Sequence, residues 1–289
     1  MDGILNIYKT TGITSFDVVR MVRKLSKMKK VGHTGTLDPL ATGVLPICLG
    51  KATKLVDYIM DDFKVYDTIL KLGFTSDTYD KEGTVTKVND VNVSEEKILN
   101  VIHSFIGVID QVPPMYSALK VGGKRLYDLA RKGIEIERDS RKITIYDIDI
   151  TEIKIPYVHF KVKCSKGTYI RSLCNDIGLK LECGALMWSL ERTATGSFTK
   201  ENSISIEDLT EDNLENHLIS MDTALQRYKE IYFNEDLEKL LINGVTIKNS
   251  LLISNIPDKE LCRIYLKNKK FIGIGMKNEV GFKMVKLLT

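Results

Sequence analysis

Apolar residues recur every three or four positions in several segments, the spacing that gathers them on one face of a helix. The predicted helices are residues 15–25, 94–105, 126–131 and 169–181. Ser15 is positioned to cap the first helix at its N-terminus. The apolar face of that helix, which we expect to be buried, consists of Phe16, Val19, Val22 and Leu25. Its basic residues fall largely on the opposite side, so the pattern predicts an amphipathic helix with a basic outer surface.

Alternating apolar and polar residues predict strands in a second set of segments. The predicted strands are residues 3–8, 63–72, 143–153, 157–164 and 185–198. Beyond residue 233 the chain changes to a short helix at 237–242 and then to small strand-like pieces. This tail predicts a compact β-rich module of about 55 residues that is docked on the main body. Strands mixed with helices in this way predict an α+β fold.

The composition is typical of a globular protein with enough apolar material for a packed core. The chain has 289 residues, of which 43% are hydrophobic and 28% charged, a size that predicts one large domain and one small domain. No apolar run approaches the roughly 18 residues of a membrane span, and the first residues lack the pattern of a secretory signal. The five cysteines include no Cys-x-x-Cys pair, which argues against a disulfide framework and a zinc site. We therefore expect a cytoplasmic protein without a membrane or metal partner.

The distribution of charge is more informative than the net charge of +4. Residues 20–30 contain six basic residues and no acid, residues 161–171 contain four and no acid, and residues 120–142 contain eight against four acids. By contrast, residues 201–222 carry seven acids and no lysine or arginine. Any one basic segment is an ordinary solvated surface, but three of them near the motifs described below favour nucleic acid as a partner.

Four residues are candidates for chemistry, although each also has an ordinary structural explanation. Asp38 follows a glycine-rich loop and precedes Pro39, as many turn-forming aspartates do. His33 lies in the same loop, Tyr66 lies on a predicted strand face, and Arg171 lies in the first turn of a predicted helix. Sequence spacing alone does not bring these four side chains together.

A family resemblance links them. Residues 32–45, with the sequence GHTGTLDPLATGVL, resemble the signature of the TruB family of tRNA pseudouridine synthases. Other segments resemble the remaining motifs of that family in the family order: Lys9-x-x-Gly12-x-Thr14-Ser15, Lys64-Val65-Tyr66, residues 73–83, residues 111–120, residues 164–171, and Leu190-x-Arg192-Thr193. The tail is similar, more weakly, to the PUA-type RNA-binding module that often ends these proteins.

The resemblance implies a fold, a domain arrangement and a reaction. The expected fold is the pseudouridine synthase fold, with a mixed, mainly antiparallel sheet flanked by helices. Residues 1–228 would form the catalytic domain, with an RNA-clasping insertion at about 111–142, and residues 229–289 the PUA-like module. The implied reaction is isomerisation of uridine to pseudouridine at position 55, in the T-arm of tRNA. It needs no cofactor or metal, and tRNA would be the only partner required by a monomeric enzyme.

The resemblance also implies roles for individual residues. Asp38 would be the catalytic aspartate, Tyr66 would pack against the target base, and Arg171 would pair with the Asp38 carboxylate. The residues implied to bind RNA or substrate are Lys9, His33, Tyr116, Lys120, Lys166, Tyr169 and Leu190. Within this set Leu190 would form part of the pocket wall, His33 would stack among RNA bases, and Lys9 would support the pocket entrance.

These residue types suit the implied chemistry. Breaking the bond from N1 to C1′ needs an ionised carboxylate beside the sugar, able to add covalently or to remove a proton. An arginine opposes protonation of a buried carboxylate because its own charge persists. The target base must also leave its stack, which aromatic contacts and phosphate-binding cations can offset.

The sequence departs from the family pattern in three places. Thr10 replaces a usual proline, Ser76 a usual threonine, and Glu191 a frequent arginine.

Three other functions compete with the one that the resemblance implies. An RNA chaperone could use the same surface without turnover, but it would not need the three catalytic candidates together. A base-exchange transglycosylase would have a cysteine-rich zinc site. A guide-RNA-dependent synthase would share the aspartate motif, but the self-contained insertion and the short chain favour a stand-alone enzyme.

Overall fold

The computed structural model of the chain describes residues 1–289, with the exception of the side chain of Arg125. The strands are β1 (Gly3–Lys9), β2 (Val31–His33), β3 (Thr42–Leu49), β4 (Lys64–Leu72), β5 (Phe74–Ser76), β6 (Val85–Lys87), β7 (Gly107–Gln111), β8 (Lys120–Val121), β9 (Lys124–Arg125), β10 (Arg141–Lys154), β11 (Tyr157–Cys164), β12 (Ala185–Thr195), β13 (Phe198–Thr199), β14 (Ile204–Ser205), β15 (Leu218–Ile219), β16 (Lys229–Phe233), β17 (Leu261–Leu266), β18 (Phe271–Asn278) and β19 (Gly281–Leu287). The helices are α1 (Ser15–Ser26), α2 (Val56–Met60), α3 (Glu95–His103), α4 (Leu126–Ala130), α5 (Ile170–Lys180), α6 (Glu238–Ile242) and α7 (Ser250–Ile253).

A mixed sheet of eleven strands forms the main body. Its strands follow the order β14-β1-β3-β12-β4-β11-β10-β7, while β2, β13 and β15 pair with β3, β12 and β1. Only the β1–β14 and β3–β12 pairings in this sheet are parallel. The predicted α+β fold with a mainly antiparallel sheet is therefore confirmed.

The predicted alternation accounts for the centre of the sheet. Along β4, every second residue from Lys64 to Leu72 is buried. Along β11, Val158, Phe160 and Val162 are buried, whereas Lys161 and Lys163 are exposed. Strands with one apolar face bury that face against helices, and the core contains residues of both α1 and α5. One glycine permits a close approach between two central strands. Gly43 has a φ of +110°, and a Cβ there would lie 2.2 Å from the Arg192 carbonyl oxygen.

Two details of α1 correct the sequence prediction. The N-cap is Thr14, whose side chain accepts a hydrogen bond from the Asp17 backbone N–H, so the assignment of Ser15 as the cap was wrong. Phe16 was expected to be buried, but it is 53% exposed. The buried face of the helix is centred on Val18 and Val22, and Phe16 lies about 160° around the axis from Val18 at 100° per residue.

The tail forms a four-stranded sheet in the order β16-β17-β18-β19, with its own apolar core around Ile264, Ile272 and Phe282. A second cluster joins this sheet to the main body, because Ile274 and Leu288 pack with Ile4, Val44 and other residues of that body. The prediction of a strand-rich module docked on the body is confirmed. No helix among the described residues is long and apolar enough to cross a membrane.

Candidate active site

Asp38 lies in the loop between β2 and β3, and the start of α1 holds this loop in place. Ser15 Oγ donates to the Leu37 carbonyl at 3.0 Å and accepts from the Leu37 N–H at 2.8 Å. The backbone N–H of Gly12 donates to the Pro39 carbonyl at 2.9 Å. These bonds fix the residues on both sides of Asp38, so the carboxylate projects from a rigid turn.

Arg171 lies in the first turn of α5, and its side chain is only 6% exposed. Its Nη2 lies 3.0 Å from Asp38 Oδ2, and its Nη1 lies 3.5 Å from Asp80 Oδ2. The same guanidinium donates to the backbone carbonyls of Tyr116 at 2.9 Å and Thr78 at 3.2 Å. The arginine therefore joins three loops around one positive charge, and two carboxylates share it.

Burial is the main influence on Asp38, and it raises the pKa of this carboxyl above its usual value. Arg171 opposes that rise, whereas the neighbouring Asp80 carboxylate adds to it. Asp38 is the more accessible of the two acids, with a side chain 36% exposed against 5% for Asp80. The cation that most strongly opposes protonation of the acid facing the open space is thus the buried Arg171.

The sheet supplies the other wall of the site. Tyr66 on β4 is directly opposite Arg192 on β12, and Leu190 lies two residues along β12 from Arg192. Arg192 is 2% exposed and donates from Nε to the Val44 carbonyl at 2.7 Å and from Nη2 to the Gly35 carbonyl at 3.1 Å. Burial raises the pKa of the Tyr66 phenol, and the Arg192 guanidinium acts against that rise. Tyr66 and Leu190 give this wall apolar surface, and the buried Arg192 lies beside them in the same wall.

These elements enclose a cleft of about 670 Å³. Seven of the ten predicted site residues line it: Asp38, Tyr66, Tyr116, Lys166, Tyr169, Arg171 and Leu190. The structure thus brings together, across the sheet and three loops, side chains that spacing could not connect.

The other three predicted residues lie outside the cleft lining. Lys9 is fully buried, and its Nζ donates to the carbonyls of Thr10 and Ile13 at 2.9 Å and of Pro39 at 3.4 Å, while burial lowers its pKa to about 8. His33 ends β2, where its Nδ1 accepts from the Gly35 N–H at 3.2 Å. Lys120 is exposed on the β8–β9 hairpin. Lys9 therefore supports the turn next to Asp38, whereas the RNA-binding roles of His33 and Lys120 stay predictions.

Comparison with known proteins decides the family. The family model described as the N-terminal domain of TruB family pseudouridylate synthase matches residues 23–170, and the model of the tRNA pseudouridylate synthase B C-terminal domain matches residues 171–226. A protein named tRNA pseudouridine synthase B from Clostridium acetobutylicum is 61% identical over 289 residues, with 100% of both chains covered. One of the same name from Clostridium novyi is 58% identical over 288 residues, again with 100% of each chain covered. The chain belongs to the TruB family.

Solved structures agree with TruB membership. The crystal structure of a Cbf5-Nop10-Gar1 complex contains a chain with a TM-score of 0.77 and 28% identity, and the match covers 99% of this chain and 85% of that one. A chain in the structure of an H/ACA RNP bound to a substrate RNA that contains 2′-deoxyuridine matches with a TM-score of 0.75 and 25% identity. This match also covers 99% of this chain and 85% of that one. The predicted pseudouridine synthase fold is confirmed.

The three departures from the TruB pattern leave the Asp38–Arg171 pair intact. Thr10 offers its carbonyl to Lys9, and Ser76 Oγ donates to the Asp80 carbonyl at 2.5 Å. Glu191 accepts from the Tyr8 hydroxyl at 2.6 Å and pairs with Lys200 at 2.7 Å. Each of these three residues therefore makes a hydrogen bond or an ion pair with another residue of the chain.

Sequence reasoning gave no role to three residues that line the cleft. Asp80, Arg192 and Lys64 lie within the motifs that resemble the family, and all three are buried. Lys64 is 6% exposed, and burial lowers its pKa to about 8. The signal that could have identified them was a charged residue at a position that the strand or loop pattern marks as buried, since such residues are rare without a partner.

Proposed function

We propose that this protein isomerises uridine to pseudouridine at position 55 in the T-arm of tRNA, with Asp38 as the catalytic carboxylate. The observation that carries the proposal is the 3.0 Å contact between Asp38 and the buried Arg171 inside a cleft walled by Tyr66 and Leu190. The name of the relatives, tRNA pseudouridine synthase B, supports the same substrate class.

The reaction conserves all atoms. The bond from N1 to C1′ breaks, the uracil turns within the cleft, and C5 forms the new bond to C1′. C5 then gives up its proton, and N1 of the product carries one. No electrons enter or leave, so the residues need only to hold the nucleoside, exclude water and provide a base or nucleophile at the ribose.

Asp38 performs this role as an ionised group, and Arg171 keeps it ionised. The pKa of Asp38 is raised by burial, which works against catalysis, and the adjacent guanidinium opposes the rise. Arg171 also binds the Tyr116 and Thr78 carbonyls, so its position is fixed before substrate arrives. A preorganised pair of this kind needs little reorganisation during the reaction.

The walls hold a uridine that has been extruded from its stack. Tyr66 is 8% exposed and provides a flat apolar surface, and Leu190 lies on the same sheet face. Unstacking costs a few kcal/mol, which contacts with the aromatic ring and with cations such as Lys166 offset. Tyr116 and Tyr169 line the remaining side of the cleft.

The same proposal extends to the rest of the chain. Residues 1–228 would be the catalytic domain, 111–142 an insertion that clasps the RNA, and 229–289 a PUA-like RNA-binding module. The protein would act as a monomer in the cytoplasm and without a protein partner. Five free, buried cysteines fit a reducing compartment.

Tritium release from tRNA labelled with [5-³H]uridine tests the proposal directly, because the isomerised uridine loses its C5 proton. The purified protein, with no guide RNA or other protein, is expected to release one tritium per tRNA and to place the product at position 55. A tRNA in which that uridine is replaced by cytidine serves as the matched substrate control.

Each alternative has its own signature in the same assay. Tight tRNA binding without tritium release would favour an RNA chaperone. Release only after addition of a guide RNA would favour a guide-dependent synthase. Product at another position would refute the T-arm assignment while leaving the chemistry in place.

A further inference from the structure

Phe16 is a large aromatic side chain that the fold does not bury. It is 53% exposed, while Val18, Val19 and Val22 of the same helix pack in the core. Single exposed apolar residues are common on protein surfaces, so exposure alone carries no functional meaning. Its neighbours are what distinguish this ring.

Two arginines flank the ring. The guanidinium carbons of Arg20 and Arg23 lie 5.6 and 5.7 Å from its centroid, within the range of a cation–π contact. Arg23 is anchored by a hydrogen bond from its Nη2 to the Val31 carbonyl at 3.1 Å, whereas the side chain of Arg20 is 64% exposed. Guanidinium planes and aromatic rings are the groups on which unpaired nucleobases stack.

The surroundings carry a charge suited to a polyanion. Residues 20–30 contain six basic residues and no acid. The nearby Asp17 is engaged in the helix cap and is paired with Arg20, and Glu211 is paired with Lys27. Lys24, Lys29 and Lys30 are exposed. A partner that offers both phosphates and flat bases matches this combination.

This surface begins close to the candidate active site. Thr14, the N-cap of α1, lines the cleft, and Phe16 follows it by two residues, about 3 Å along the helix axis. Ser15, between them, holds the Asp38 loop through Leu37. RNA that places a uridine beside Asp38 therefore has its next nucleotides within reach of the ring.

We infer that Phe16, with Arg20 and Arg23, forms a stacking platform for an unpaired nucleotide of the tRNA whose uridine occupies the cleft. The platform grips the RNA outside the reaction site, and Lys24 and its basic neighbours hold the adjoining phosphates. This inference rests on the proposed function for the identity of the RNA.

The test compares dissociation constants for full-length tRNA at a fixed salt concentration. Phe16→Ala is expected to weaken binding about tenfold, within the range measured when one base loses its aromatic partner. The slope of log affinity against log salt should stay as in the wild type, because no phosphate contact is removed. Phe16→Leu should bind like Phe16→Ala, and Phe16→Tyr like the wild type, because only the flat ring matters.

Met21→Ala is the matched control. Met21 is 42% exposed on the same helix, about 140° around the axis from Phe16, and its removal should leave the affinity unchanged. A direct readout comes from Phe16→Trp, because the chain has one tryptophan, Trp188. The added fluorescence should be quenched by tRNA, relative to the wild type. Since Phe16 is largely exposed, the melting temperature of each variant should stay within about 2 °C of the wild type.

Two results would overturn the inference. One is wild-type affinity in Phe16→Ala. The other is wild-type affinity in Phe16→Leu with no quenching in Phe16→Trp, which would indicate a hydrophobic contact instead of stacking. Wild-type tritium release on the same tRNA is measured in parallel, so failure of the proposed function appears in the wild type and failure of the platform appears only in the variants.

Discussion

Replacing Arg171 with methionine tests whether this one cation keeps Asp38 ionised. The side chain of methionine is similar in length and fills much of the same space, but it removes the charge shared by Asp38 and Asp80. The guanidinium is 3.0 Å from the first carboxylate and 3.5 Å from the second. After the substitution, the two acids would face one another without the guanidinium, and the positive charge of Lys9 would be only a minor compensation for Asp38.

The size of the effect follows from Coulomb's law. Opposite charges about 4 Å apart attract by about 4 kcal/mol at an effective dielectric constant near 20. Because the Asp38 side chain is 36% exposed, solvent screening reduces the useful part to about 2–3 kcal/mol. A loss of this size changes the ratio of protonated to ionised Asp38 by about 30- to 150-fold, so removal of Arg171 should raise the pKa of Asp38 further.

The measurement is the pH profile of kcat/KM for pseudouridine formation. In the wild type the ionised carboxylate is the active form, so activity falls as the pH drops through a pKa that lies above the ordinary 3.8. In Arg171→Met this fall of activity at acidic pH, the acid limb of the profile, should shift by about two pH units to higher pH. Activity should recover in part at alkaline pH. Loss of the bonds to Tyr116 and Thr78 should also lower thermal stability, so melting curves accompany the profile.

Arg263→Met is the control for loss of a largely buried arginine elsewhere. Arg263 pairs with Glu230 at 3.0 Å in the C-terminal sheet, and its side chain is 12% exposed. This variant should be less stable but should keep the wild-type acid limb. An Arg171→Met enzyme whose acid limb coincides with that of the wild type would refute the assigned role of Arg171.

Three further substitutions have distinct expected outcomes. Asp38→Asn preserves the shape of the side chain, so it should lower tritium release at least about 100-fold while the affinity for tRNA stays within a few-fold of the wild type. Substantial residual turnover would contradict the catalytic role of Asp38. Tyr66→Phe keeps the flat ring, so filter binding should detect little change in affinity while any proton transfer by the phenol is lost; failure to bind RNA would contradict the stacking role. Lys9→Met removes the side-chain donor from the Thr10 and Ile13 carbonyls, whereas the Pro39 carbonyl keeps the Gly12 N–H. The substitution should lower the free energy of unfolding by about 2 kcal/mol in urea titration, whereas Lys24→Met at an exposed position should not.

Local sequence determined many of the longer elements of this protein because hydrophobic periodicity is a property of neighbouring residues, whereas β3 and β7 were not among the predicted strands. The alternation in β4 and β11 predicted both segments as strands, and α5 begins at Ile170, one residue after the start of the predicted helix. The same reasoning failed at Phe16. Four apolar residues at helical spacing define a wide face, and only packing against the sheet decides that its centre is at Val18 and Val22.

The loop sequence around Asp38 identified the family, and the family supplied the candidate residues, but their meeting depended on the tertiary structure. Asp38 and Arg171 come from a loop and a helix far apart in the chain, and they are joined because β3, β12 and β4 are adjacent in the sheet and α5 packs against it. Pairing between strands brings distant segments together by long-range hydrogen bonds, which no short window of sequence records. The second carboxylate at Asp80 and the buried Arg192 behind Tyr66 became visible for the same reason, since burial of a charge is decided by what surrounds it in space.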